Sequence, residues 1–146
     1  QYALNTAEGV GEGRYRGGFG AVREFDILAD EAITYASLGR SIEPPWGLKG
    51  GAPGSCNFME IESGDETRRV ARIPYHALKQ GDRVRIVTGG GGGYGDAFAR
   101  PPQEVLDDVL NDYITPETAR ERYGVALRAD GGVDEAATES LRAARG

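Results

Sequence analysis

The sequence predicts an α+β chain, with a β-rich barrel or sandwich body followed by a C-terminal helical tail. Three observations carry that reading. Glycine makes up 23 of the 146 residues, and 19 of these fall before residue 97. Within that glycine-rich part, short apolar/polar alternations recur between turn residues, the pattern of half-buried strands. Beyond Arg100-Pro101-Pro102 the pattern changes to apolar pairs at helical spacing. The chain therefore divides into a glycine-rich β body, residues 1–99, and a helical tail, residues 100–146, within one domain.

Phe19 to Leu28 alternates, with Phe19, Ala21, Arg23, Phe25 and Ile27 on one face and Glu24 and Asp26 on the other. Ala29-Asp30-Glu31 reads as a turn, and Ala32–Leu38 as the next strand. Cys56–Ile61 is a third strand and Arg69–Ile73 a fourth, ending at Pro74. A Gly81-Asp82 turn then opens a further strand, with Val84 and Ile86 on one face and Arg83, Arg85 and Val87 on the other. In the tail, Val105, Leu106, Val109, Leu110, Tyr113 and Ile114 form one helical stripe. Asp107 and Asp108 fall on the opposite, solvated face. Thr115-Pro116-Glu117 is an N-cap, a proline at the first helical position and an acidic first turn, and Gly124 is the left-handed stop. Val125–Leu127 reads as extended and Gly131-Gly132 as a turn. Asp134 caps a third helix, with Ala137, Leu141 and Ala144 on one side.

Composition removes several activities. The net charge is −6, and a nucleic-acid binder or a protein of anionic membrane surfaces needs a basic face. No apolar run reaches the roughly 18 residues of a membrane span, and no signal-peptide pattern opens the chain, so the expected location is cytoplasmic. One cysteine and one histidine allow neither a disulfide framework nor an ordinary zinc centre. His76 and Cys56 read as structural. The chain opens Gln1-Tyr2-Ala3-Leu4 without a methionine, which reads as a piece of a longer polypeptide.

Four segments hold candidate functional residues. Gly89–Gly93 followed by Tyr94-Gly95-Asp96 either cradles an oxyanion on successive N–H groups or lets another segment cross closely; Gly91, Gly92 and Tyr94 are its candidates. No Gly-Lys-Ser/Thr follows, so this is not a nucleotide-binding P-loop. In Gly13–Gly20, Arg14 and Arg16 flank Tyr15 and suit a carboxylate, a phosphate or a salt bridge. Arg23 shares the face taken as inward, and a buried guanidinium needs a carboxylate partner inside the body unless that face lines a site or an interface. Arg40 and Trp46 belong to a loop stiffened by Pro44-Pro45, where the tryptophan either folds onto its own body or docks on a partner. No catalytic triad and no metal-ligand spacing emerges.

The series Gly13-Arg14-Tyr15-Arg16-Gly17-Gly18, Val22-Arg23-Glu24, Pro44-Pro45-Trp46-Gly47-Leu48 with Gly50-Gly51 and Pro53-Gly54, Gly81-Asp82, Gly90–Asp96, Val105-Leu106-Asp107-Asp108-Val109, Pro116-Glu117-Thr118-Ala119-Arg120 and Tyr123-Gly124-Val125 resembles the C-terminal end of the hydantoinase B/oxoprolinase family. That family takes in N-methylhydantoinase B subunits, 5-oxoprolinases and the large subunits of acetone and acetophenone carboxylases. The resemblance implies a C-terminal domain of a larger, ATP-dependent subunit that hydrolyses a cyclic amide, non-catalytic by itself. The equivalent domain of a ketone carboxylase, or a pure assembly module, are its alternatives. It implies no cofactor in this region. In the whole complex it implies ATP on an A-type partner subunit, which phosphorylates a carbonyl oxygen, and a divalent metal held by the upstream part of the same subunit.

Overall fold

The computed structural model describes residues 1–145. Seven antiparallel strands make two sheets. They are β1 (Tyr2–Asn5), β2 (Gly20–Asp26), β3 (Glu31–Ser37), β4 (Phe58–Ser63), β5 (Glu66–Val70), β6 (Arg72–Lys79) and β7 (Arg83–Val87). Five of them lie in the order β1-β2-β7-β4-β5, and β3 pairs with β6 in a separate ribbon. The larger sheet is open, with β1 and β5 as its edges, so the α+β body is two stacked sheets and not a closed barrel.

The alternation that marks β2 and β7 sets the two faces of the larger sheet. On one face Met59, Ile61 and Val84 pack with Ile73 and Leu78 of the ribbon, and Ile27, Ala32, Ala36, Val70 and Ile86 fill in around them. The opposite face is apolar at one end, where Val22, Phe58 and Val87 cluster, and ionic beyond it. Register aligns Glu24, Arg85, Glu60 and Arg69 across four strands. Arg85 contacts Glu24 at 3.4 Å and Glu60 at 2.9 Å, and Arg69 contacts Glu60 at 2.8 Å. Partial burial of the Glu60 carboxyl opposes its ionisation, but the hydrogen bonds from Arg69 and Arg85 outweigh it, and the group lies below its ordinary value of 4.5. The Asp82 carboxyl in the turn before β7 lies below 3.8, because the Lys79 N–H and the Ser63 hydroxyl bond to it. Both groups bind fewer protons folded than unfolded. Their stabilisation is therefore complete above the ordinary values and is lost as pH falls through the folded ones. A series of urea midpoints is expected to be flat around neutrality and to drop steeply below pH of about 4; Glu60→Gln should flatten that drop.

Pro74 does not end a strand. The chain breaks at Ala71, passing from β5 in the large sheet to β6 in the ribbon, and Pro74 sits inside β6. A register shift between Thr34 and Ala36 sets two residues, Pro74 and Tyr75, against Tyr35. At such a bulge the missing proline N–H costs no ladder bond.

A single 3-10 turn, Ala97–Ala99, leads into α1 (Pro102–Leu110), α2 (Pro116–Tyr123) and α3 (Glu135–Ala143). Thr115 Oγ1 accepts from Thr118 N, Gly124 takes φ +62°, and Asp134 accepts from Ala137 N. All three are the caps the sequence predicts. The first helix is shorter than its apolar stripe: Asn111 caps it and Asp112 takes φ +56°, leaving Tyr113 and Ile114 in the corner before α2. Val105, Leu106, Ala119, Tyr123, Val125 and Val133 form a core of the tail's own. In α3 the fully buried position is Thr138, whose Oγ1 accepts from Ala126 N; Ala137 and Leu141 are half-buried and Ala144 is exposed.

Candidate functional site

The glycines of the body form a weave of three chain passes, residues 9–20, 45–57 and 88–95. Gly11 N donates to Gly91 O (2.8 Å), Gly91 N to Gly18 O (2.9 Å), Ala52 N to Glu12 O (2.7 Å), Gly93 N to Ala52 O (2.9 Å), and Leu48 N to Gly93 O (2.9 Å). Backbone lies directly on backbone. A Cβ added at Gly17 would overlap the Gly91 carbonyl, and one at Gly92 the Trp46 carbonyl. That proximity is why this stretch excludes side chains.

The same bonds take up four of the five N–H donors of the pentaglycine. Gly89 N donates to Asn57 Oδ1 and Gly90 N to Ser55 Oγ; Gly91, Gly93, Tyr94 and Gly95 donate to backbone carbonyls. Donors spent in this way do not cradle an anion. Gly91 and Gly92 are the places where the passes cross.

The remaining candidates separate into three settings. Arg14, Arg40, Trp46 and Tyr94 reach the outside of the weave. Trp46 is 65% exposed, with the Arg40 guanidinium 4.8 Å from its ring centre. Tyr94 bridges to both Tyr15 and Leu48, its ring lies 6.4 Å from that of Tyr15, and Arg14 stacks on Tyr15 at 5.6 Å. Tyr15, Leu48 and Tyr94 are all exposed, so the weave carries an aromatic surface edged by arginine.

Arg16 turns instead toward the tail. Its Nε donates to Asp108 Oδ2 at 2.9 Å, and Arg100 Nη2 reaches the same oxygen at 3.1 Å. Asp108 is therefore not on a solvated face. It is 5% exposed and lies between two guanidiniums. Arg14 Nη1 donates to Ala99 O, and Arg122 lies 3.8 Å from Glu12, so several polar contacts hold weave and tail together. Tyr123 lies beneath them, its hydroxyl buried and without a partner among the described residues; burial pushes its phenol up to about 12.

Arg23 is not buried. It shares the sheet face of Phe25, as its parity requires, but the ribbon's core contacts fall on β4, β5 and β7 and leave β1 and β2 bare. Its guanidinium meets the Tyr2 ring at 5.6 Å rather than an internal carboxylate.

Acid–base chemistry has little to draw on. A cleft of about 940 Å³ opens between the ribbon and the β4–β5 edge and contains His76 and Asp82, but the Asp82 carboxylate is engaged by Lys79 N at 2.9 Å. Cys56 is half-buried in a loop. Among the described residues no three His, Cys, Asp or Glu side chains group to hold a metal, so the divalent ion implied by the resemblance does not fit these residues. No helix among them is long and apolar enough to cross a membrane.

Comparison with known proteins agrees with this architecture. Over 98% of the chain, the crystal structure of the ATP-dependent caprolactamase from Pseudomonas jessenii superposes with a TM-score of 0.82 and 33% identity. A nucleotide-free acetone carboxylase superposes over 99% with a TM-score of 0.80 and 27% identity. These matches take up 25% and 24% of the longer chains. In sequence, the caprolactamase subunit beta of Pseudomonas jessenii is 36% identical over 99% of this chain and 26% of its own length. The chain thus spans about a quarter of the curated relatives it matches. The family model for hydantoinase B/oxoprolinase matches residues 1–97, the β body and the weave, and the chain belongs to that family.

Proposed function

We propose that this chain is the C-terminal domain of an ATP-dependent subunit that hydrolyses a cyclic amide of the N-methylhydantoin or oxoproline kind, and that it is non-catalytic alone. Its support is the 36% identity to a caprolactamase subunit over 99% of the chain, together with a pentaglycine that has four of its five N–H donors bonded within the weave. ATP belongs to an A-type partner subunit, and the reacting groups and divalent metal to the rest of this subunit. The outer surface of the weave, with Arg14, Arg40, Trp46 and Tyr94, closes over or docks against those parts. Gly91 and Gly92 hold it in shape. Arg16 fastens the tail, and Arg23 serves a separate contact beside β1.

The test is a set of assays on the whole subunit with its ATP-binding partner in cytoplasmic-type buffer. ATP-dependent ring opening of N-methylhydantoin or 5-oxoproline is expected, with no turnover by the 146 residues alone. ATP-dependent consumption of acetone and bicarbonate in its place would move the chain to the carboxylase branch. Trp46→Ala separates the two roles of the weave surface. Lost turnover in an intact complex means it lines the site, and lost assembly of a folded subunit means it docks the partner.

A further inference from the structure

The β3–β6 ribbon carries apolar side chains on both faces, with one polar pair, Thr34 and His76, on the inner one. Its inner face, with Ala32, Ala36, Ile73 and Leu78, packs on the large sheet. On the outer face Ile33 is 61%, Tyr35 79% and Tyr75 63% exposed, with Ala77 directly opposite Ile33. A ribbon with one wet face carries polar residues there, as the ionic face of the large sheet does. Charge is confined to the ribbon's ends, Glu31 beside Lys79 at one and Arg72 at the other. An aromatic centre between charged ends is the composition of a covered surface.

We infer that this outer face is a permanent internal contact, covered by an apolar segment of the same subunit's polypeptide lying outside these 146 residues. The inference rests on the proposed place of the chain within a larger subunit. Two observations choose that occupant over a partner subunit or a second copy. First, the ribbon has only two strands and two free edges, and the large sheet supports it through its inner face alone, so cover on the outer face adds to its stability. Such cover is in place earliest when it comes from the same polypeptide as the subunit folds. Secondly, the relatives and solved structures that contain this fold give it only 22–26% of their length, leaving ample polypeptide to lie on it.

The experiment nitrates tyrosines with tetranitromethane in the intact, unmutated subunit and follows Tyr35 and Tyr75 by peptide mass spectrometry, with the denatured subunit as reference. Both are expected to react at least about tenfold more slowly in the isolated folded subunit, independently of its concentration. Rapid nitration in every state would overturn the inference. So would protection that needs the ATP-binding subunit, or protection that appears only at high concentration and marks a second copy. Turnover is not read, so a subunit that protects both tyrosines yet hydrolyses no cyclic amide sinks the proposed activity and leaves this inference standing.

Discussion

Gly17→Ala is expected to destabilise the fold by about 3 kcal/mol, the upper end of the cost of overpacking, whereas Gly18→Ala one residue later changes stability by no more than about 0.5 kcal/mol. The two glycines are equivalent in propensity and share a loop. They differ in what a methyl group would meet. At Gly17 it strikes the Gly91 carbonyl, and at Gly18 it meets nothing. A flexible side chain could swing aside, but a carbonyl fixed in a net of hydrogen bonds cannot. Gly17 N donates to Gly11 O and Gly11 N to Gly91 O, so pushing one pass outward strains the next. Gly92→Ala, against the Trp46 carbonyl, should behave like Gly17→Ala and should also displace the loop carrying Trp46, visible as a change in its fluorescence. Urea midpoints of the three variants decide the matter. Equal, small effects at all three positions would mean that the passes are loosely stacked and that the glycines answer to something other than their mutual contact.

Legibility in the sequence followed the range of the interaction. The caps of the second and third helices depend on residues within four positions of one another, and Thr115, Gly124 and Asp134 act as the sequence predicts. The faces of β2 and β7 were readable because alternation is local. What covers each face is tertiary, which is why Arg23 has the expected parity but an exposed setting. Strand β1 leaves no signal in the sequence because its four residues, Tyr2–Asn5, show too little alternation. Tyr113 and Ile114 kept the helical spacing, yet nothing in the spacing announces that Asp112 adopts a left-handed conformation. For the weave, five consecutive glycines signal a close approach, but not the two passes, tens of residues upstream, that make it. The setting of Asp108 is hidden for the same reason. Within its helix it looks like a neighbour of Asp107, and the approach of Arg16, 92 residues away, joins Arg100 in burying it.

That burial makes Asp108 the position whose loss should do most to free the tail. One carboxylate oxygen serves two guanidiniums, of Arg16 at 2.9 Å and Arg100 at 3.1 Å. Arg100 has a side chain only 9% exposed, and its Nε has no partner among the described residues; Glu104, at 3.5 Å and half exposed, is a weak substitute. Asp108→Ala leaves two positive charges facing each other under a covered surface. Removing one partner from a buried ion pair costs about 3–5 kcal/mol, and the 21% exposure of the Arg16 side chain points to the lower end. Arg16→Ala removes a charge that water reaches and should cost less. Because both changes touch one interaction, the double variant should fall short of their sum by about 1–3 kcal/mol. The tail keeps its own core of Val105, Leu106, Ala119, Tyr123, Val125 and Val133, so it is expected to detach from the weave as a folded piece. Amide exchange would then quicken first around Arg14–Phe19 and Ala97–Arg100, while the centres of β4 and β7 keep their protection. Uniform exchange throughout the chain, or a double variant whose cost equals the sum of the singles, would show that Asp108 does not join the two parts.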